Sequence, residues 1–243
     1  MSIVPAPRPP AMDHYLYAVA ERLPRSWRPP AAGVTGATVE ARRMGDLSVI
    51  TSAVGQTPRE GPRLLSLHHD VVATTMSASA VVPLPCGTVL PSEEVYRWFA
   101  LREASLRDAL ARVRGRVEMN VRLLQLEWHV APDRSLRPPL DPVPAPPSAA
   151  DGNLRELAER LAAHAGAVEW RFRVEGSPRN AAASAAFLLP RDEMGDFLAR
   201  IGPIASRSSG VAVVPTGPWP PYSFVPPFGG APVGEDLART ATA

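Results

Sequence analysis

The chain has 243 residues, 45% of them hydrophobic and 21% charged, with a formal net charge of +2: enough apolar material for one large or two small domains, too little charge excess for a nucleic-acid binder. All 26 basic residues are arginine, so a Walker A loop, a Schiff-base lysine and a Ser-x-x-Lys pair are excluded. The single cysteine, Cys86, permits neither an intrachain disulfide nor a cysteine-rich zinc site, and suits a reducing cytoplasm.

Residues 1–12 are proline-rich, read as disordered, and lack the apolar core of a secretory signal. YLYAVA at 15–20 reads as a first strand, apolar on both faces. A proline-punctuated loop follows, then a short strand over 34–41, a hairpin turn at Met44-Gly45-Asp46 and a β-branched strand over 47–54. Pro62 opens a helix over 62–77, with Leu64, Leu65, Leu67, Val71, Val72 and Met76 on its apolar face. Residues 81–84 read as a short edge strand, because Pro83 denies it a central place, and 86–90 follow a turn. Ser92 caps a helix predicted to run to Arg114, with acidic residues in its first turn and Gly115 as its stop. Residues 71–92 are uncharged and long enough to cross a bilayer, but three prolines and several Ser and Thr read as helix end, strand and turn, so no transmembrane helix is expected.

RVEMNVRLLQLEWH at 116–129 alternates, with Val117, Met119, Val121 and Leu123 on one face and Glu118, Asn120 and Arg122 on the other, and predicts a strand. Residues 131–152 hold seven prolines and read as a linker or mobile loop. Asp151 or Asn153 then caps a helix through His164 whose buried stripe is Leu154, Leu157, Ala158 and Leu161. Strands follow over 168–174 and 183–189, with a turn at 175–178 between them. A helix over 191–204 points Met194, Phe197, Leu198 and Ile201 inward, and a last strand covers 210–214. From Val117 the order is strand, helix, strand, strand, helix, strand, that of a ferredoxin-like βαββαβ domain. The fold class is α+β with two domains: an N-terminal mixed α/β domain over 13–115, and a ferredoxin-like domain over 116–228 carrying the insertion at 131–152. A Pro/aromatic segment closes the fold, and 229–243 form a flexible tail.

That closing segment is TGPWPPYSFV at 216–225. Its prolines fix φ and remove backbone donors, and Gly217, Trp219 and Pro220 each precede a proline, so a stiff extended rod carrying Trp219, Tyr222 and Phe224 is expected. Residues 208–234 hold no charge, unlike a disordered tail. The reading is a clasp, its aromatics buried against the protein's own domains. A ligand for an aromatic-lined groove is the alternative, since Pro218-x-x-Pro221 fits that pattern.

TGPWPPYSFV also resembles the closing motif of the gas vesicle GvpL/GvpF family. Other stretches match in order: YLYAVA resembles the family's Tyr-x-Tyr opening strand. The helix bearing His68, with VVPLPCGTVL at 81–90, resembles its histidine helix and following Leu-Pro-x-x-Phe-Gly-Thr turn. RGRVEMNVRL resembles its Gly-x-x-Glu strand entry, and NAAASAAFLLPRDEMGDFL its Asn-then-Phe-Leu-Val segment. The match spans roughly 15–228. Pro85-Cys86 stand where the family has Arg-Phe, although Gly87 is kept. The resemblance implies a non-enzymatic, cofactor-free accessory protein of gas vesicle assembly in the cytoplasm. It would bind the small hydrophobic shell subunit and other accessory proteins, neither nucleic acid nor membrane. Trp219, Tyr222, Phe224, Gly217, His68 and Gly87 are its structural or partner-interface candidates.

Two rival readings remain. An enzyme would need a constellation that the five histidines do not form: His68 lies on an apolar helix face and reads as a hydrogen-bonded core residue, and Glu93-Glu94 as helix-start charge. An RNA-binding βαββαβ module would need exposed aromatics beside basic groups. Alternation instead puts Trp170 and Phe172 on one face of their strand and Arg171 and Arg173 on the other.

Overall fold

The computed structural model describes residues 12–126, 149–175 and 182–229. Expectations for 1–11, 127–148, 176–181 and 230–243 lie outside the described residues. The architecture is mixed α/β with two sheets, and the chain divides into two compact units. Met1–Arg114 with Pro220–Ala243 form one, and Gly115–Trp219 the other.

In the first unit β1 (Asp13–Ala20), β2 (Val39–Met44), β3 (Leu47–Val54) and β4 (Val81–Pro83) form an antiparallel sheet in the order β2-β3-β1-β4; β5 (Val89–Pro91) also pairs with β1. Its helices are α1 (Pro62–Ala78), α2 (Glu94–Ala100) and α3 (Glu103–Val113). Every residue of β1 from Tyr15 to Ala20 is fully buried. Tyr15 and Tyr17 pack on His68 of α1, whereas Leu16 and Val19 enter a core with Trp98 and Phe99 of α2 and Leu106 and Leu110 of α3. Covered on both faces, this strand reads as a continuous apolar run.

In the second unit the order is β6 (Arg116–Gln125), α4 (Ala149–Ala165), β7 (Trp170–Glu175), β8 (Ala182–Pro190), α5 (Met194–Arg207) and β9 (Val211–Trp219). The sheet is antiparallel, ordered β7-β8-β6-β9. One face carries the core: Met119, Val121 and Leu123 meet Leu154, Leu157 and Leu161 of α4 and Phe197 and Ile201 of α5. The alternation expected over 116–129 is seen in the described strand, Arg116–Gln125, whose Met119, Val121 and Leu123 face the core.

Several expectations are corrected. The helix predicted from Ser92 to Arg114 is two, α2 and α3, interrupted at Leu101 and Arg102, and Glu93 rather than Ser92 occupies the cap position. The break lets Trp98 and Phe99 enter the same core as Leu106 and Leu110. Residues 149–152, expected in the linker, begin α4. Leu198 is 41% exposed; α5 buries Phe197 and Ile201, with Met194 and Ile204 packed alongside. The last strand does not stop at 214 but runs through Pro215 and Pro218 to Trp219, because β9 is an edge strand, where a missing N–H can face away from its neighbour. The domain boundary moves as well. Residues 220–228, expected with the second domain, belong to the first unit, since Phe228 is buried in its core with Val225 packed alongside.

Candidate functional site

The first unit holds a buried polar knot. The Tyr15 hydroxyl, on fully buried β1, lies 2.9 Å from Nδ1 of His68 and 3.3 Å from the Cys86 thiol, and accepts the Gly87 N–H at 3.0 Å. One phenol oxygen thereby ties the central strand to α1 and to the turn before β5. Gly87 sits at φ +88°, a left-handed conformation in which a β-carbon is strained. Beside the knot, Tyr17 bonds Ser52 at 3.0 Å and accepts the Val34 N–H at 2.9 Å.

Burial dominates the electrostatics here. It pulls the His68 pKa down to about 4, against an opposing pull from the Leu84 backbone, so the imidazole is neutral. Burial first, then the bond to Cys86, raises the Tyr15 phenol, and burial raises the Cys86 thiol. With phenol and thiol both protonated, the knot offers a connected set of neutral hydrogen bonds and no activated nucleophile. His68 is the hydrogen-bonded core histidine anticipated. Among the described residues no group of three or more His, Cys, Asp or Glu side chains could hold a metal ion.

The closing segment crosses the knot's surroundings. Pro220 and Pro221 are buried, and a 3-10 turn follows at Tyr222–Phe224 in place of the extended rod expected. The Tyr222 ring lies 6.3 Å from that of His68, centre to centre, Phe224 is 2% exposed, and Phe228 is buried among Trp98, Phe99 and Leu110. The segment therefore runs from the α1 side of the sheet to the α2–α3 side as a strap.

The structure brings His68, Gly87, Tyr222 and Phe224 into the first unit and leaves Gly217 and Trp219 in the second. Gly217, at φ +131°, faces β6 so closely that a β-carbon would come within 2.8 Å of the Met119 sulfur and 3.0 Å of the Glu118 carbonyl oxygen. Trp219 donates its indole N–H to Thr216 at 3.1 Å. The clasp expectation holds for Phe224 and is corrected for Trp219 and Tyr222, each 37% exposed. Trp219 lies on an edge strand and Tyr222 in a surface turn, so neither ring is fully enclosed. Tyr15 and Phe228 were not singled out from the sequence. Tyr15 was detectable as the partner of Tyr17 at strand spacing; Phe228, in a Pro/Gly-rich stretch, carried no periodic signal.

Trp170 and Phe172 pack against the core of the second unit, and Arg171 and Arg173 are exposed on the opposite side. The aromatics that an RNA-binding sheet would present for stacking are turned inward.

The gas vesicle protein F of Streptomyces sp. (strain CB03234) is 27% identical over 238 residues, covering 88% of this chain and 100% of that protein. The crystal structure of GvpF from Anabaena sp. PCC7120 superposes with a TM-score of 0.68 at 18% identity, over 88% of this chain and 95% of that one. GvpF from Microcystis aeruginosa gives 0.67 at 15% identity, over 87% and 98%. These two share the fold. The family model described as gas vesicle synthesis protein GvpL/GvpF matches residues 13–137 and 147–226, through both units and into the strap, and on that match the chain belongs to the GvpL/GvpF family.

Proposed function

We propose that this chain is a non-enzymatic accessory protein of gas vesicle assembly that binds the small hydrophobic shell subunit and supports nucleation or growth of the shell. The observation that carries this reading is the family match across both units. Physical chemistry supplies the need: a subunit that builds a water-excluding wall carries apolar surface and unpaired strand edges before assembly, and both drive aggregation. A folded partner can cover either, and a free sheet edge in either unit can add a strand. The strand order of the second unit supports reading it as a ferredoxin-like domain, a scaffold that fixes no activity by itself. His68, Gly87, Gly217 and Phe224 are assigned structural roles. Trp219 in the second unit and Tyr222 in the first, each partly exposed, are separate candidates for contact with a partner. The protein works at the gas vesicle in the cytoplasm, with no cofactor.

The test is co-purification of the tagged full-length chain with the shell subunit, beside vesicle counts by electron microscopy in cells lacking the gene. Retention of the shell subunit and a loss of vesicles are expected. Normal vesicles without the gene, together with no retention, would overturn the reading.

A further inference from the structure

His14 stands on β1, 4% exposed, with both ring nitrogens engaged. Nδ1 lies 3.2 Å from the Thr51 hydroxyl on β3, and Nε2 lies 2.7 Å from Nη2 of Arg42 on β2. These partners fix where the ring carries its hydrogen. Thr51 gives its one hydroxyl proton to the Tyr15 carbonyl at 2.9 Å, so towards His14 its oxygen accepts. Nδ1 is therefore the donor. A guanidinium has donors alone, so Nε2 is the bare acceptor. Both ends of the ring agree on one neutral tautomer.

The Arg42 bond joins strands that are not neighbours. The sheet runs β2-β3-β1-β4, so Arg42, on the edge strand, reaches across β3 to the central one. The β2–β3 ladder that it supports runs from Val39–Ser52 to Met44–Leu47. β3 is uncharged, and all of it except Ala53 is buried. With β2 detached, it becomes a long apolar edge of the kind that recruits other strands.

Acid acts on this bond directly. A proton on Nε2 leaves two positive donors facing each other at hydrogen-bond distance, so the bond is lost rather than weakened. The charged groups acting on the ring are Arg42, which opposes a second positive charge, and Glu40 of β2 and Asp13 of β1, which favour one. β3 and β5 place Ala53 and Leu90 beside it and contain no charged residue. Burial first, then Arg42, holds His14 below its ordinary pKa of 6.5, so the ring takes up a proton more readily once β2 has let go. Opening is favoured as the pH falls below about 6.5.

We propose that the Arg42–His14 bond is an acid-released latch: protonation of Nε2 breaks it, β2 peels from β3, and the apolar edge of β3 is uncovered. The inference stands independently of the proposed shell-subunit contact.

The test uses the full-length protein. Nitrogen NMR of the imidazoles at about pH 7.5 is expected to show His14 with its hydrogen on Nδ1. Amide exchange, corrected for the intrinsic effect of pH, then sets Val39–Met44 of β2 against Ala182–Pro190 of β8 in the second unit. Between about pH 7.5 and about pH 5, protection of β2 is expected to fall at least about threefold more than that of β8. His14→Gln keeps an acceptor for Arg42 but takes up no proton, and loses this extra fall. His68→Gln retains it, which separates the latch from the acid response of the knot. Arg42→Met leaves β2 poorly protected at both pH values and moves the His14 titration midpoint upward, because a neighbouring cation is gone. The tautomer and the exchange of β2 are read on the wild type, so the inference can fail without any variant. Hydrogen on Nε2 in the neutral ring, an equal acid response in wild type and His14→Gln, or opening of β2 only together with β1 and β3 would each overturn it.

Discussion

The two units solve the same problem differently. The first covers its sheet on both faces, so its central strand loses alternation and must satisfy every polar group internally. Tyr15, Tyr17, His68, Thr51 and Ser52 are all buried and all hydrogen-bonded. The second packs its helices on one face only, and leaves arginines on the other. In the first unit specificity lies in a knot of neutral hydrogen bonds, and its failures should be large and cooperative. In the second it lies in patterning, and the exposed arginines Arg122, Arg171 and Arg173 can change at little cost in stability.

The strongest test of that contrast removes a buried ring of the strap. Phe224→Ala is expected to cost about 3–5 kcal/mol, a large part of the roughly 5–15 kcal/mol that holds a domain, and chemical denaturation will read it as a lower midpoint. A change below about 1 kcal/mol would show that the strap does not complete the first unit.

Acid acts next, and on the knot. His68 has a pKa of about 4 in the fold against an ordinary 6.5, so between those values the unfolded chain binds more protons than the folded one. Stability is therefore full above about pH 6.5 and falls as the pH drops towards 4, by up to about 3 kcal/mol. Denaturation at about pH 7 and about pH 4.5 will show the slope, and His68→Gln, which keeps an acceptor for Tyr15, will flatten it. His14, also pulled down by burial and then by Arg42, leaves a smaller residual slope.

In the second unit, Gly217→Ala forces a β-carbon against the Met119 sulfur and the Glu118 carbonyl at a positive φ. A loss of about 1–3 kcal/mol is expected. A neutral result would mean that β9 moves freely off β6. Trp219→Ala is milder, about 1–2 kcal/mol, since the ring is already 37% exposed. If it exceeds Phe224→Ala in effect, the ranking of the two halves of the closing segment is reversed. Smallest is Cys86→Ser, expected within about 1 kcal/mol because a hydroxyl can take the thiol's place beside Tyr15.

What could be read in advance follows the same division. The alternation of 116–125 and the order of elements after it were legible, because a strand with a helix-packed core on one face writes that face into every second residue. The burial of Tyr15 to Ala20 was legible as an apolar run, but the knot was not: Tyr15, His68 and Cys86 meet only through tertiary packing, from three separate elements. The split between α2 and α3 left no trace either, since Leu101-Arg102 contains no glycine or proline to mark it. Extending β9 through two prolines required knowing that it lies at an edge.

The strap also sets a schedule. Phe224 and Phe228 finish the first unit, yet they follow all of Gly115–Trp219 in the chain. On the ribosome, the first unit emerges with its sheet and helices but without its closing rings. It waits for the intervening residues to be made, roughly 5–20 seconds at synthesis rates of about 5–20 residues per second. During that interval the apolar bed around Trp98, Phe99 and Leu110 stays partly uncovered, so the nascent chain is most vulnerable to wrong association before its last stretch is translated.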